Sequence, residues 1–134
     1  MRVCLDTNVL VAAFATRGLC ADVLRTVLVD HELVMGEVPL EELDRVLATK
    51  LRVPETRRVA VQAALTTAVV VPRPTAPHPM PLADEDDRWI LATAVAGDAE
   101  VLVTGDQVLL AAADRAPLPV VTPRAFWERL RQGG

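Results

Sequence analysis

Four separated stretches of this chain carry carboxylates where they could hold a divalent cation. Asp6 ends the apolar run Val3-Cys4-Leu5, and Asp106 follows Val101-Leu102-Val103. If both runs are strands of one parallel sheet, both acids lie at strand carboxyl ends, where open α/β sheets keep their functional crevice. The plainer reading is that each aspartate only caps the helix after it. The third stretch, Asp84-Glu85-Asp86-Asp87, has the look of a solvated helix start, since acids favour the positive end of a helix dipole. Helical spacing separates its members. Asp87 shares a side with Ile90, Leu91 and Ala94, Asp84 lies close to that side, and Glu85 and Asp86 point to solvent. A carboxylate on an apolar face needs a partner, because burying a bare charge is costly. The fourth stretch offers Glu41, Glu42 and Asp44. With Leu40, Leu43 and Leu47 as the buried stripe, Glu41 points away, while Glu42 and Asp44 flank the stripe on opposite sides. Spacing does not choose between those two, and a solvated face is the plainer reading of all three.

Carboxylates and water suit hard cations such as Mg²⁺ and Mn²⁺. Left without a cation, clustered carboxylates repel and raise one another's pKa. A cation among them lowers the pKa of a bound water and neutralises charge on a phosphodiester. Other chemistries lack their residues. No Ser-His-Asp set is available, and Gly18, Gly36, Gly97 and Gly105 are isolated rather than grouped in a phosphate loop. Cys4 and Cys20 have no partner at metal-ligand spacing, and His31 and His78 stand alone. Phospho-aspartyl transfer through Asp6 would want a second Asp at position 8, held by Asn8, or an Asp after the third strand, where Pro72 stands.

These acids need a scaffold, and 134 residues make one domain, 1–134. Half the residues are hydrophobic and a quarter charged, a globular balance. With two Phe, two Trp and no Tyr, the core must be built from Val, Leu and Ala. The net charge of −4 argues against a general nucleic-acid coat protein but not against a nuclease with its acids in one pocket. All the basic residues except Lys50 are Arg, the better phosphate fork.

Short apolar runs at Arg2–Leu5, Glu32–Met35, Val69–Val71, Val101–Val103 and Pro119–Val121 read as strands. Helical patterns fall between them, at Val9–Phe14, 20–30, Val38–Leu51, Val59–Leu65 led in by Pro54 at a helix start, Asp84–Ala96 and Val108–Ala113. Thr122 as N-cap with Pro123 behind it starts a last helix. The five prolines of 72–81 make that stretch an extended loop. Alternating strands and helices, with strands apolar on both sides, predict a three-layer α/β/α fold around a mainly parallel five-stranded sheet. No apolar run approaches the ~20 residues that span a bilayer, so no membrane partner is expected. Absence of a signal segment and unpaired cysteines point to a cytoplasmic protein.

Five segments together resemble the PIN-domain family, and within it the VapC-type toxins of bacterial toxin–antitoxin pairs. They are Leu5-Asp6-Thr7-Asn8-Val9-Leu10, Leu40 through Leu47, Asp84-Glu85-Asp86-Asp87 leading to Ile90-Leu91-Ala92-Thr93-Ala94, Leu102-Val103-Thr104-Gly105-Asp106, and Val121 through Phe126. The resemblance covers nearly the whole chain and keeps the family's order. It implies a metal-dependent endoribonuclease with Asp6, Glu42, Asp87 and Asp106 as catalytic acids, and it selects Glu42 over Asp44. Asp6, Asp87 and Asp106 are the implied ligands of Mg²⁺ or Mn²⁺. Asp84, Asn8 and Thr104 are implied supporting residues, Asn8 having the alternative role of a helix cap.

The resemblance also implies an RNA substrate, a protein antitoxin and a homodimer. Flanking phosphate contacts are expected from Lys50, Arg52, Arg57 and Arg58, the densest basic run, with Arg17 and Arg88 nearer the acids in sequence. Scarce aromatics argue for backbone and shape recognition rather than base stacking. Trp89 falls opposite Ile90, Leu91 and Ala94, which suggests either an exposed interface or a contact under a neighbouring loop. The alternative to an enzyme is a non-catalytic RNA-binding or scaffold module on the same fold, which the presence of all four acids disfavours.

Overall fold

The apolar runs at Arg2–Leu5 (β1), Glu32–Gly36 (β2), Val69–Val71 (β3), Val101–Val103 (β4) and Val120–Val121 (β5) pair into one sheet. Its order is β3-β2-β1-β4-β5, and every pairing is parallel. The computed structural model describes residues 1–133. Helices α1 (Thr7–Ala15), α2 (Leu19–Asp30), α3 (Glu37–Thr49), α4 (Glu55–Ala64), α5 (Glu85–Ala96), α6 (Gln107–Ala111) and α7 (Pro123–Arg131) connect and cover the strands.

Side chains alternate across a strand with period two, and here both faces are used. Val3, Leu5, Leu33, Met35, Val101 and Val103 meet Leu10, Val23, Val27, Leu43, Leu47 and Phe126 from α1, α2, α3 and α7. Cys4, Val34 and Leu102 meet Ile90, Leu91, Ala94 and Leu109 from α5 and α6. The result is the three-layer α/β/α arrangement that the alternating pattern implies. Helix α4 buries no side chain completely and lies against α3.

Several boundaries differ by a residue or two from the periodic reading; α1, for example, begins at Thr7 rather than Val9. Helix α3 stops at Thr49 rather than Leu51. Helix α4 begins directly after Pro54, the helix start that the proline marks, and its first turn, Glu55 to Arg58, carries no apolar stripe. The stretch after Asp106 splits into α6 and a 3-10 turn at Ala113–Arg115. At the last helix, the Thr122 side chain accepts from the Ala125 N–H at 3.0 Å with Pro123 in the first turn.

The chain runs β1-β2-β3 outward, then crosses to lay β4 and β5 on the other side of β1. The strand order therefore reverses between β1 and β4, and the crevice of such sheets opens there at the carboxyl ends. Gly97 sets how closely α5 approaches the sheet: a Cβ there would sit 2.4 Å from Val34 Cγ1 and 2.8 Å from Val71 Cγ2. The proline-rich segment is docked against α5. The His78 N–H donates to the Arg88 carbonyl at 3.0 Å, Arg88 Nε donates to the His78 carbonyl at 2.9 Å, and Met80 is buried in the second core. Among the described residues no single helix is long and apolar enough to cross a bilayer.

Candidate active site

At the end of β1, Asp6 is the N-cap of α1, its Oδ1 accepting from the Thr7 N–H at 2.7 Å. Its other oxygen, Oδ2, accepts from the Thr104 hydroxyl at 2.8 Å. Thr104 is fully buried after β4, and its hydroxyl oxygen in turn accepts from the Asp106 N–H at 3.0 Å. One hydroxyl thus ties together two aspartates that lie 100 residues apart in sequence. Asp106 caps α6 through Oδ1, which accepts from the Val108 and Leu109 N–H groups at 2.8 and 3.1 Å. The capping and crevice readings of these acids are therefore compatible, since capping commits only one oxygen of each.

Asp87 enters the same crevice from the first turn of α5. It is 5% exposed, and its Oδ2 is buried without a hydrogen-bond partner. Its pKa is raised to about 7, first by burial, then by the charges of Asp106, Asp84 and Asp6, and by a hydrogen bond shared with the Asp106 carboxyl. Burial also raises the Asp6 carboxyl. Hydrogen bonds from Thr104 and Thr7 pull it back down, and the Asp106 charge adds to the rise. Burial is the first cause of both shifts, and the neighbouring carboxylates add to it. Cys4, just before this group, is inert: burial and then the Asp6 charge push its thiol up to about 12.

These acids line a cleft of about 800 Å³ whose other walls come from α1, α3 and the proline-rich loop. Glu42 lines it, exposed, with an i,i+3 contact to Arg45 at 3.6 Å. Such an exposed pair is worth only a few tenths of a kcal/mol, so Glu42 is free to turn to another partner. Asp44 points elsewhere, held by Arg58 Nε at 3.3 Å. Asp84 caps α5 by accepting from the Asp86 N–H at 2.9 Å and also lines the cleft. Asn8 lines the cleft from α1; the cap of that helix is Asp6, not Asn8.

Two expectations about the flanks need correcting, and the placement of Trp89 resolves to the loop contact, one of its two readings. Of the basic run, only Lys50 lines the cleft; Arg57 lines a groove against Phe14 and Val61, and Arg58 is engaged with Asp44 and the Val53 carbonyl. Arg88 is spent on the proline-rich loop and Glu85. Trp89 is half-buried at the cleft under that loop, with Arg73 Cζ 4.5 Å from its ring centroid. Glu37, Arg45 and Arg73 are cleft residues that pattern reading missed, and Asp86, expected to face solvent, also lines the cleft. Glu37 sits in the first turn of α3, where acids are routine, and Arg73 lies in a loop without periodicity.

The donor set of Asp6, Asp87 and Asp106 is all carboxylate oxygen, and Asp87 Oδ2 lacks any protein partner. Both features fit a hard cation. Among the described residues, no three acidic, His or Cys side chains are drawn together as a ready-made metal cage. The acids ring an open cleft, an arrangement suited to a cation that keeps several of its waters.

Two solved structures share the fold. VapBC2 from Rickettsia felis, bound to a DNA fragment from its promoter, matches with a TM-score of 0.64 at 17% identity, over 91% of this chain and 98% of that one. FitAcB from Neisseria gonorrhoeae matches with a TM-score of 0.54 at 19% identity, over the same shares. No curated protein sequence matches. Residues 2–108, which span β1 through the start of α6 and hold every acid of the cleft, match the PIN domain family model, and the chain belongs to that family.

Proposed function

We propose that this chain is a Mg²⁺- or Mn²⁺-dependent endoribonuclease and the toxin of a toxin–antitoxin pair. PIN domains are generally nucleases and generally use divalent metals. The observation that carries the reading is the convergence of Asp6, Asp87 and Asp106 from three segments onto one crevice, with a buried Asp87 oxygen left unpartnered. The structural neighbours are toxin–antitoxin complexes, which supports the biological role, with a protein antitoxin, a homodimer and a cytoplasmic setting as parts of the same proposal.

In this reading Asp6, Asp87 and Asp106 would hold the cation, and Glu42 is the fourth acid lining the same cleft. A bound cation supplies an acidified water and charge neutralisation at the scissile phosphate. Thr104 keeps Asp6 and the Asp106 backbone in register, Asp84 adds negative charge at the rim, and Asn8 offers an amide to the same space.

The test is cleavage of a structured RNA by the purified protein with Mg²⁺ or Mn²⁺, its loss with a chelator, and its loss in Asp6→Asn. Equal cleavage by that variant would assign the activity to a contaminant. Absence of Mn²⁺ binding in a calorimetric titration would favour a non-catalytic RNA-binding module instead.

A further inference from the structure

We propose that Arg73 and Trp89 form a stacking platform that receives one unpaired nucleotide of the RNA beside the scissile bond, so that loops are chosen over duplex. The inference rests on the ribonuclease reading for its substrate, and on the cleft geometry for its site. Trp89 shares a side of α5 with Asp86 and Thr93, and all three line the acidic cleft. The Arg73 guanidinium lies over the indole at 4.5 Å from its centroid. One face of that plane rests on Trp89, and the Arg73 side chain joins no ion pair among the described residues. An uncommitted guanidinium face next to an aromatic ring is what unpaired bases stack on. A base inside a duplex has no free face to offer.

The platform is held ready. Pro72 and Pro74 flank Arg73 and restrict its backbone. The Arg73 N–H donates to Glu37 Oε1 at 3.2 Å, and the loop is pinned downstream by the paired His78–Arg88 hydrogen bonds. Binding therefore orders little that is not already ordered. Lys50 and Arg45 on the α3 wall give the strand's phosphates positive charge across the cleft. Few aromatics in the chain argue against stacking in general. One of them beside the acids, topped by an Arg, argues for it at this one position.

Trp89 and Trp127 are the only tryptophans, so a Trp127→Phe background makes Trp89 emission readable. In Asp6→Asn/Trp127→Phe protein, a short single-stranded RNA is expected to quench that emission, while a blunt duplex of equal length leaves it unchanged. In cleaving protein, Arg73→Ala and Trp89→Ala should each raise KM for a hairpin RNA about tenfold with kcat changed less than about threefold. The double variant should be little worse than either, and Trp89→Phe should recover most of the loss. If Trp89→Ala does not fold, the exposed Arg73→Ala carries the same reading. Equal quenching by single strand and duplex, or none by either, overturns the platform. Cleavage with unchanged KM in Arg73→Ala overturns the platform and leaves the nuclease standing. Quenching by single strands in a protein that never cleaves RNA supports the platform and removes the nuclease.

Discussion

The two ends of the central strands treat charge in opposite ways. At the amino end, Arg2 reaches Glu32 at 3.2 Å, the Gly97 carbonyl at 3.0 Å and Asp98 at 3.9 Å, so a cation sits between two acids. At the carboxyl end, Asp6, Asp87 and Asp106 gather with no basic side chain paired to any of them among the described residues. One end supplies its own cation. The other supplies none to its three acids, and burial together with neighbouring carboxylates raises the Asp6 and Asp87 carboxyls there. Acids that serve structure are neutralised by the chain itself; acids kept without a partner are available to a ligand.

The largest effect should come from removing one charge of the carboxyl end. Asp6→Asn keeps a side-chain acceptor for Thr7 or Thr104 and loses the charge; RNA cleavage should fall by about 10³-fold or more, as losing a transition-state electrostatic contact does. A fall of only a few-fold at saturating Mg²⁺, measured by single-turnover cleavage, would break the contrast between the two ends.

Next comes the pH dependence of stability without metal. The Asp87 carboxyl keeps its proton to about pH 7 when folded and loses it near pH 4 when unfolded. Between those values the native state binds more protons, so stability must fall as pH rises through that window. The full loss is at most about 4 kcal/mol. Asp87→Asn should flatten this slope and raise the metal-free melting temperature at pH 8, although it abolishes activity. Mg²⁺ should stabilise the natural protein at pH 8 far more than at pH 5, because the cation must displace the proton. Thermal unfolding at the two pH values checks both; a stability that rises from pH 5 to 8 would refute the picture.

Much of this contrast is legible in the sequence, for identifiable reasons. Parallel strands covered on both faces are continuous apolar runs, so Val3-Cys4-Leu5 and Val101-Leu102-Val103 stand out, and with them the acids that follow. Asp87 is visible because a carboxylate in register with Ile90, Leu91 and Ala94 breaks an apolar face. Glu42 and Asp44 are not separable this way: Arg58, fourteen residues along on α4, draws Asp44 aside, and local spacing holds no trace of that. Arg73 and Glu37 were hidden for a similar reason, and spacing left Trp89 open between an exposed interface and a contact under a loop. Their roles follow from how the proline-rich loop docks on α5, which is a long-range contact. The strand order is likewise set by packing, not by the alternation of elements.

Thr104→Val sharpens the contrast with a neutral change. The methyl keeps the volume, but Asp6 Oδ2 and the Asp106 N–H both lose their partner. Removing a group that orients metal-binding carboxylates weakens metal affinity by about 10- to 100-fold. Calorimetric Mn²⁺ titration should show this, with Thr104→Ser near the natural value. Unaltered affinity in Thr104→Val would mean that the hydroxyl serves folding alone.

The smallest effect belongs to the amino end. Arg2→Met preserves the aliphatic stem and removes the guanidinium. The ion pairs lost are exposed, with Arg2 40% and Glu32 57% accessible, and such pairs contribute at most about 1 kcal/mol. The hydrogen bond to the Gly97 carbonyl adds a comparable amount, about 1 kcal/mol. Melting should therefore drop by only a few degrees, roughly 2–8 °C, part of it already lost in the natural protein at high salt. Cleavage should be unchanged, because the sheet separates this cluster from the crevice. The decisive feature is sign: breaking the partnered end destabilises, whereas neutralising Asp87 at the unpartnered end stabilises the metal-free protein. If Arg2→Met and Asp87→Asn shifted melting in the same direction at pH 8, the two ends would not differ in the way their charges indicate.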